Sequence, residues 1–403
     1  MALLLAQQQN AGTWEGIEEF TASYRQAVIT HAANTCPDAM VECFESVEEY
    51  LRGMLRELEQ ITEMFENGME RIDSAAEPKG LRRFVEECYE QIYRHAVLFH
   101  SPTAFFEMST ALTKRYAERV IALTQQQSID SLPSFVLLAL GPVGRHEATR
   151  FCRMPLVLVA ENGTDDRMLE RIGGTIVSWM RASGTPIEEG VSPLNRFWRG
   201  TLDDWRERFE AALAGRDRGT YIELLRLADQ SVLAGDSELA ASFQQLTMTQ
   251  LNDRAIIGNL ASRSLMLTNG LSMMGKLKVE RGGAHQGLFP LLDHAFLPLA
   301  SALSALAILF DLRDVGTPER IRSLVRIGRM DVDLAERILH AWQCVSEHRL
   351  LLEQQATIGQ DCRDILNLNP MNLNAIEEDR LIKALETISD LQRYLQVCCG
   401  GYL

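Results

Sequence analysis

No C-x-x-C pair occurs among the eight cysteines, at positions 36, 43, 88, 152, 344, 362, 398 and 399, so neither a zinc site nor a secreted disulfide framework is indicated. The vicinal pair Cys398 and Cys399 reads as a helix end and is assigned no role. Basic residues are in deficit: 40 Lys and Arg stand against 55 Asp and Glu, a formal net charge of −15. A broad grip on a nucleic-acid backbone would work against that field, which argues against DNA or RNA as a partner. No apolar run reaches the roughly twenty residues a membrane span needs. The longest, FLPLASALSALAILF at 296–310, is fifteen residues with a Pro and two Ser, and it reads as a buried helix. The opening MALLLAQQQN has no basic cluster and too short an apolar stretch for a signal h-region, so a cytoplasmic protein with no membrane partner is expected. Internal repeats and low-complexity segments are absent too.

What is there is a 403-residue chain, 46% hydrophobic and 24% charged, the balance of a folded globular protein large enough for two or three packed units. The acidic excess is uneven, since residues 1–100 carry 18 acidic and 8 basic side chains. From Glu42 to Glu66 a heptad runs through Phe44, Val47, Leu51, Met54, Leu58, Ile61 and Phe65, with Asn67-Gly68 as its expected stop. That seam fits an intramolecular bundle stripe or a dimerising coiled coil. Further helices are expected from about Leu81 to Leu98 and from Pro102 to Gln127, the latter capped by Ser101. Residues 1–128 therefore read as an all-helical module.

At Leu132 the character changes. SFVLLAL at 134–140 and LVLVA at 156–160 are short apolar runs bounded by the turn GPVGR and by Asn162-Gly163, and read as two buried strands. A helix is expected from Asp165 to Ser183, stopped by Gly184, followed by an irregular stretch. After Asp236 helical patterns dominate, broken by the loop at 280–290 and by Gly316-Thr317-Pro318, where Thr317 looks like a cap and Pro318 a first helical position. The expected fold is α+β and mostly helical. A helical module at 1–128 precedes a small mixed-sheet α/β domain at 129–240, and a helical bundle at 241–403 follows. GLSMMGKL at 270–277 nearly spells a phosphate-binding loop, but Leu277 replaces the required Ser or Thr and no strand precedes it, so it reads as a helix end.

Strand, glycine-bounded turn with an Arg, then strand is an arrangement in which backbone N–H groups and a guanidinium can face a phosphate. In this context LLALGPVGRHEATRFCRMPLVLVAENG resembles the first active-site motif of a nucleotidyltransferase family related to the N-terminal domain of protein-PII uridylyltransferase. The family pattern is Gly-Ser-x-Gly-Arg-x-Glu-x-Thr, a spacer, then Asp-x-Asp. WRGTLDDWRERF at 198–209 and LADQSVLAGDSELA at 227–240 resemble two further family segments. VERGGAHQG at 279–287, with Leu297-Pro298-Leu299 beyond it, is similar to part of the family's nucleotidyltransferase substrate-binding domain. The resemblance spans most of the chain.

It implies that Gly141, Gly144, Arg145 and Glu147 line a nucleotide site, that Thr149 belongs to the same motif, and that His285 and Gly287 lie on a substrate-side loop. Asp229 matches a family carboxylate. An active member would use Mg²⁺ and a nucleoside triphosphate. The chain departs from that pattern where the metal should bind. Pro142 stands for Ser, Arg153 and Pro155 for the Asp-x-Asp pair, Ser231 for Arg, and Pro290-Leu291-Leu292 for Asp-Leu-Lys. No catalytic metal is therefore expected, and the resemblance implies a degenerate transferase that binds nucleotide or a PII-like or other signalling protein. An active nucleotidyltransferase and a helical dimer scaffold are the alternatives, and a homo-oligomer is expected. Each retained residue also has a plain structural reading. Gly141 and Gly144 suit a tight turn, Arg145 beside Glu147 an ion pair, His285 a turn or packing position, and Asp229 a cap or turn.

Overall fold

A computed structural model describes residues 37–400, apart from 129–130, 216–222, 269, 273 and 358. By compactness the chain divides into residues 1–64 and 65–403, and the expected α/β and C-terminal regions lie within the second unit. The expectations for residues 1–36 lie outside the described residues. The fold is α+β and mostly helical, with thirteen helices and a four-stranded mixed sheet among the described residues.

Helix α1 (Pro37–Ser74) carries the heptad seam but runs straight through the expected stop at Asn67-Gly68. A Cβ on Gly68 would lie 2.5 Å from the sulfur of Cys88 on α2 (Pro78–Phe99), so this glycine serves close helix packing, not termination. Helix α3 (Pro102–Gln127) begins as expected, with Ser101 Oγ accepting from the Ala104 amide at 3.3 Å.

The strand β1 (Phe135–Ala139) is the sheet's centre, antiparallel to both β2 (Leu156–Ala160) and β4 (Ser231–Gly235), while β3 (Arg199–Thr201) lies parallel to β2 at the edge. Every residue of β1 and β2 is buried, which explains their unbroken apolar runs. Between them lies α4 (Gly141–Gly144), a single turn. After β2 come α5 (Asp166–Ala182), capped by Asp165 and followed by Gly184 at φ +84°, and α6 (Leu202–Leu213), closed by a Thr201–Asp204 capping box. The short β3 and the polar start of β4 carry no apolar alternation, which is why the sequence announces neither as a strand.

The C-terminal part comprises α7 (Ser237–Leu251), α8 (Arg254–Met266), α9 (Leu297–Leu309), α10 (Thr317–Arg326), α11 (Val332–Gln355), the single turn α12 (Cys362–Ile365) and α13 (Ala375–Cys398). A two-stranded ribbon joins β5 (Phe289–Pro290) to β6 (Asn367–Leu368). The stretch Leu292–Leu309 is long and apolar enough to cross a membrane by composition, but 67% of it is buried inside the protein, as a core helix is. α9 packs against α8, α10 and α13. The segment 270–277 is not a helix end: Leu271 bridges Leu277, and the Lys278 amide donates to the Gly270 carbonyl at 2.8 Å, closing a small hairpin. Gly316, not Thr317, is the N-cap of α10, because the Thr317 hydroxyl is engaged elsewhere.

Candidate functional site

The turn after β1 is shaped by its two glycines for different reasons. Gly141 has φ +58°, a conformation other residues enter at a cost, yet an added Cβ there would meet nothing closer than 4.0 Å. At Gly144 a Cβ would fall 1.9 Å from the Asp229 carbonyl oxygen, so glycine lets the turn press on the segment that carries Asp229. The amides of Gly144, Arg145, His146 and Glu147 donate to the carbonyls of Leu140, Gly141, Val143 and Pro142, at 2.7–3.2 Å. Those four donors are engaged inside the turn.

Arg145 is buried, and its guanidinium donates from Nε to Glu147 at 3.1 Å and from Nη1 to Asp229 at 2.7 Å. Burial opposes its charge, but the two carboxylates outweigh that and raise its pKa. The second oxygen of Asp229 accepts from Arg320 Nη1 on α10 and from Ser304 Oγ on α9, both at 2.6 Å. Arg320 also donates to the Ala228 carbonyl at 2.7 Å. Burial alone would raise the Asp229 pKa; Arg145 and Arg320 together hold it below the usual carboxylate range.

Glu147 is equally surrounded. Its Oε1 accepts from Thr317 Oγ1 at 2.5 Å and from the Trp342 indole at 3.0 Å, while Oε2 faces Arg145. Thr149 Oγ1 donates to Glu353 at 3.0 Å, and the fully buried Glu353 also accepts from Arg349 Nε at 2.9 Å and from the Tyr93 hydroxyl at 3.2 Å. Arg349 reaches the Glu147 carbonyl at 3.3 Å and the Cys152 sulfur at 3.0 Å. Burial opposes the Arg349 charge, but Glu353 more than compensates and its pKa is raised. Arg145, Glu147, Thr149 and Asp229 thus meet in one buried polar junction whose other half comes from α9, α10 and α11. Asp229 neither caps a helix nor closes a turn; it pairs two arginines.

Arg153 is half exposed and pairs with Asp361 at 2.7 Å, and His285 Nε2 lies 3.2 Å from Asp364. Asp361 caps α12 and Asp364 lies within it, so both segments touch the same single turn. Gly287 has φ +83° with open space around it, as a loop glycine should. His285 and Gly287 take no part in the buried junction. Sequence reasoning missed Ser304, Thr317, Arg320, Trp342, Arg349 and Glu353. One signal was available: Arg349 and Glu353 stand four apart among the mostly apolar buried positions of their helix, the spacing of a paired buried charge.

A mixed sheet with a glycine turn after its central strand, joined to a helical companion, is the layout of a nucleotidyltransferase core with its substrate-side domain. Residues 85–218 match the family described as putative nucleotidyltransferase DUF294, and residues 254–397 match that described as a putative nucleotidyltransferase substrate binding domain. The chain belongs to this nucleotidyltransferase family. No curated protein matches it.

The family resemblance brings Mg²⁺ with a triphosphate, and the residues do not fit that ion. Mg²⁺ takes carboxylate oxygens in near-octahedral geometry, whereas the matching positions offer a guanidinium at Arg153, an imino acid at Pro155, and an Asp229 whose oxygens already face two arginines and a serine. Among the described residues, no group of three or more His, Cys, Asp or Glu side chains comes together in a cation-binding arrangement.

Proposed function

We propose that this chain is a degenerate nucleotidyltransferase that acts as a binding, regulatory protein toward nucleotide or a protein partner, with a PII-like signalling protein as the first candidate. The observation that carries it is Asp229, the one retained acid of the family's metal site, held by Arg145, Arg320 and Ser304 at 2.6–2.7 Å. Two-metal phosphoryl transfer needs that carboxylate on the metal. The family's residues serve instead to fasten the sheet domain to the helical bundle. Supporting the partner over the nucleotide is the engagement of Arg145 and the turn amides within the protein.

The test is label incorporation from each nucleoside triphosphate into candidate acceptors, PII-type proteins included. Background incorporation is the expected result. Turnover that requires Mg²⁺ and stops with chelator would establish an active transferase instead. In parallel, calorimetry with nucleoside triphosphates tests the nucleotide role: heat of binding supports it, and its absence leaves a protein partner or the helical scaffold.

We also propose self-association through α1. Val47 and Leu51 of the seam are 45% and 37% exposed, and Tyr50 beside them is 67% exposed, while Ile61 is fully buried. An apolar stripe at heptad spacing is covered most simply by the same stripe of a second copy. Replacing Val47 and Leu51 by Lys is expected to convert a dimer into folded monomers by light scattering at tens of micromolar, about where association near −6 to −8 kcal/mol registers. An unmodified protein that is already monomeric there ends the proposal.

A further inference from the structure

Arg150 follows directly on the Thr149 of the family motif and takes no part in the buried junction. Its guanidinium lies 4.8 Å from the centre of the Tyr93 ring and 4.9 Å from that of Phe151. Its Nε is buried with no hydrogen-bond partner, and no carboxylate among the described residues pairs with it. Every other arginine in the neighbourhood is answered: Arg145 by Glu147 and Asp229, Arg349 by Glu353, Arg153 by Asp361. A buried guanidinium Nε left without an acceptor is costly unless something supplies an oxygen atom.

The same side chain lines a cavity of about 90 Å³ between α2, α3 and the loop from Ala148 to Met154, with the loop after α5 closing it. Arg82 and Glu86 also line it, but they pair with each other at 2.7 Å and are about half exposed, so their charges cancel at its edge. The uncompensated charge is that of Arg150. Tyr89 and Tyr116 add hydroxyls whose pKa values burial pushes up to about 12, so both stay uncharged and put no negative charge against an anion. The volume admits a handful of waters, at roughly 10–15 Å³ each. It falls well below the ~300–1,000 Å³ of pockets that enclose drug-sized molecules, so a nucleotide does not fit.

We propose that this cavity is a binding site for a compact tetrahedral oxyanion of the phosphate or sulfate class, held by the Arg150 fork. Guanidinium matches such oxygens in two parallel hydrogen bonds, and stacking on Tyr93 and Phe151 fixes its plane beforehand. The site borders the turn at Val143 but has none of Gly141, Gly144 and Arg145 in its lining, and its occupancy does not depend on the regulatory reading above. Because Thr149 and Cys152 line the cavity and also bond Glu353 and Arg349, a bound anion should stiffen the junction and raise the melting temperature.

The experiment titrates sodium phosphate against the whole protein at constant ionic strength, reading calorimetric heat and melting temperature. Phosphate is expected to bind saturably and raise the melting temperature, with affinity at least tenfold weaker in Arg150→Gln and intermediate in Arg150→Lys. Sulfate should follow phosphate, and AMP, a phosphate on a larger body, should not. Because the glutamine variant also loses its ring contacts, labelling of unmodified protein with phenylglyoxal provides a second reading. Phosphate should protect Arg150 and leave the exposed Arg322 reactive, as mass spectrometry would show. No saturable phosphate effect, an equal effect in Arg150→Gln, AMP binding as tightly as phosphate, or no protection of Arg150 would each overturn the proposal.

Discussion

Asp229→Ala is expected to destabilise the protein by about 3–5 kcal/mol, because removing one member of a buried ion cluster leaves a buried opposite charge unpaired. Here Arg320, whose side chain is 2% exposed, loses the carboxylate it pairs with, and Arg145, at 8%, is left with Glu147 alone. Ser304 loses its acceptor as well. The loss should appear as a marked fall in melting temperature, with or without Mg²⁺ and nucleotide. Replacing Arg320 by Met in the same chain removes the stranded charge, leaves the Arg145–Glu147 pair in place and should restore much of the stability. A carboxylate free to hold metal would behave otherwise. Its alanine variant would melt close to the unmodified protein, and that result would remove the observation on which the proposed function stands.

The same cluster sets an acid limit. Asp229 has a folded-state pKa below its unfolded value, so its contribution is fully present above the ordinary Asp value of about 3.9 and is lost as pH falls through the folded value. Melting curves taken from pH 7 down to 3 should therefore show a steep acid loss that is shallower in Asp229→Asn. No loss from this group is expected between pH 5 and 8.

What the sequence reveals and what it hides follows from the range of the forces involved. Ser101-Pro102, the apolar runs of β1 and β2, and Asp165 at the head of α5 are local devices whose effect is complete within a few residues. The turn motif was legible for the same reason, and so was its incompleteness at Arg153 and Pro155. Asn67-Gly68 misled because a glycine that suits a helix end also suits close helix packing, and only the position of Cys88 decides between them. Thr317 ahead of Pro318 misled in the same way, since its hydroxyl goes to Glu147, 170 residues earlier in the chain. The residues that complete the candidate site, Ser304, Arg320, Trp342, Arg349 and Glu353, join it only through tertiary packing. Arg145 beside Glu147 could be read as an ion pair, but the partners that saturate the pair could not.

Gly144→Ala should cost more than about 3 kcal/mol, at or beyond the upper end of overpacking effects, whereas Gly141→Ala should cost about 1–2 kcal/mol, the penalty for a side chain in a left-handed conformation. The difference comes from what each Cβ would meet. At Gly144 the new atom falls 1.9 Å from the Asp229 carbonyl oxygen and 2.8 Å from that of Ala139, both backbone atoms that no rotamer change can move aside. Either the turn or the segment ending at Asp229 must shift, and the shift pulls Asp229 away from Arg145. At Gly141 the nearest atom is 4.0 Å away on the Pro155 ring, so only the φ of +58° resists. Because Gly144→Ala and Asp229→Ala damage the same junction, the double variant should be more stable than the sum of the two losses allows, by about 0.5–3 kcal/mol. Gly141→Ala and Asp229→Ala should lie much closer to additivity. Equal, mild losses at both glycines, with nucleotide binding abolished by either, would mean that the turn keeps its glycines for close approach to a phosphate and not for the backbone of Asp229.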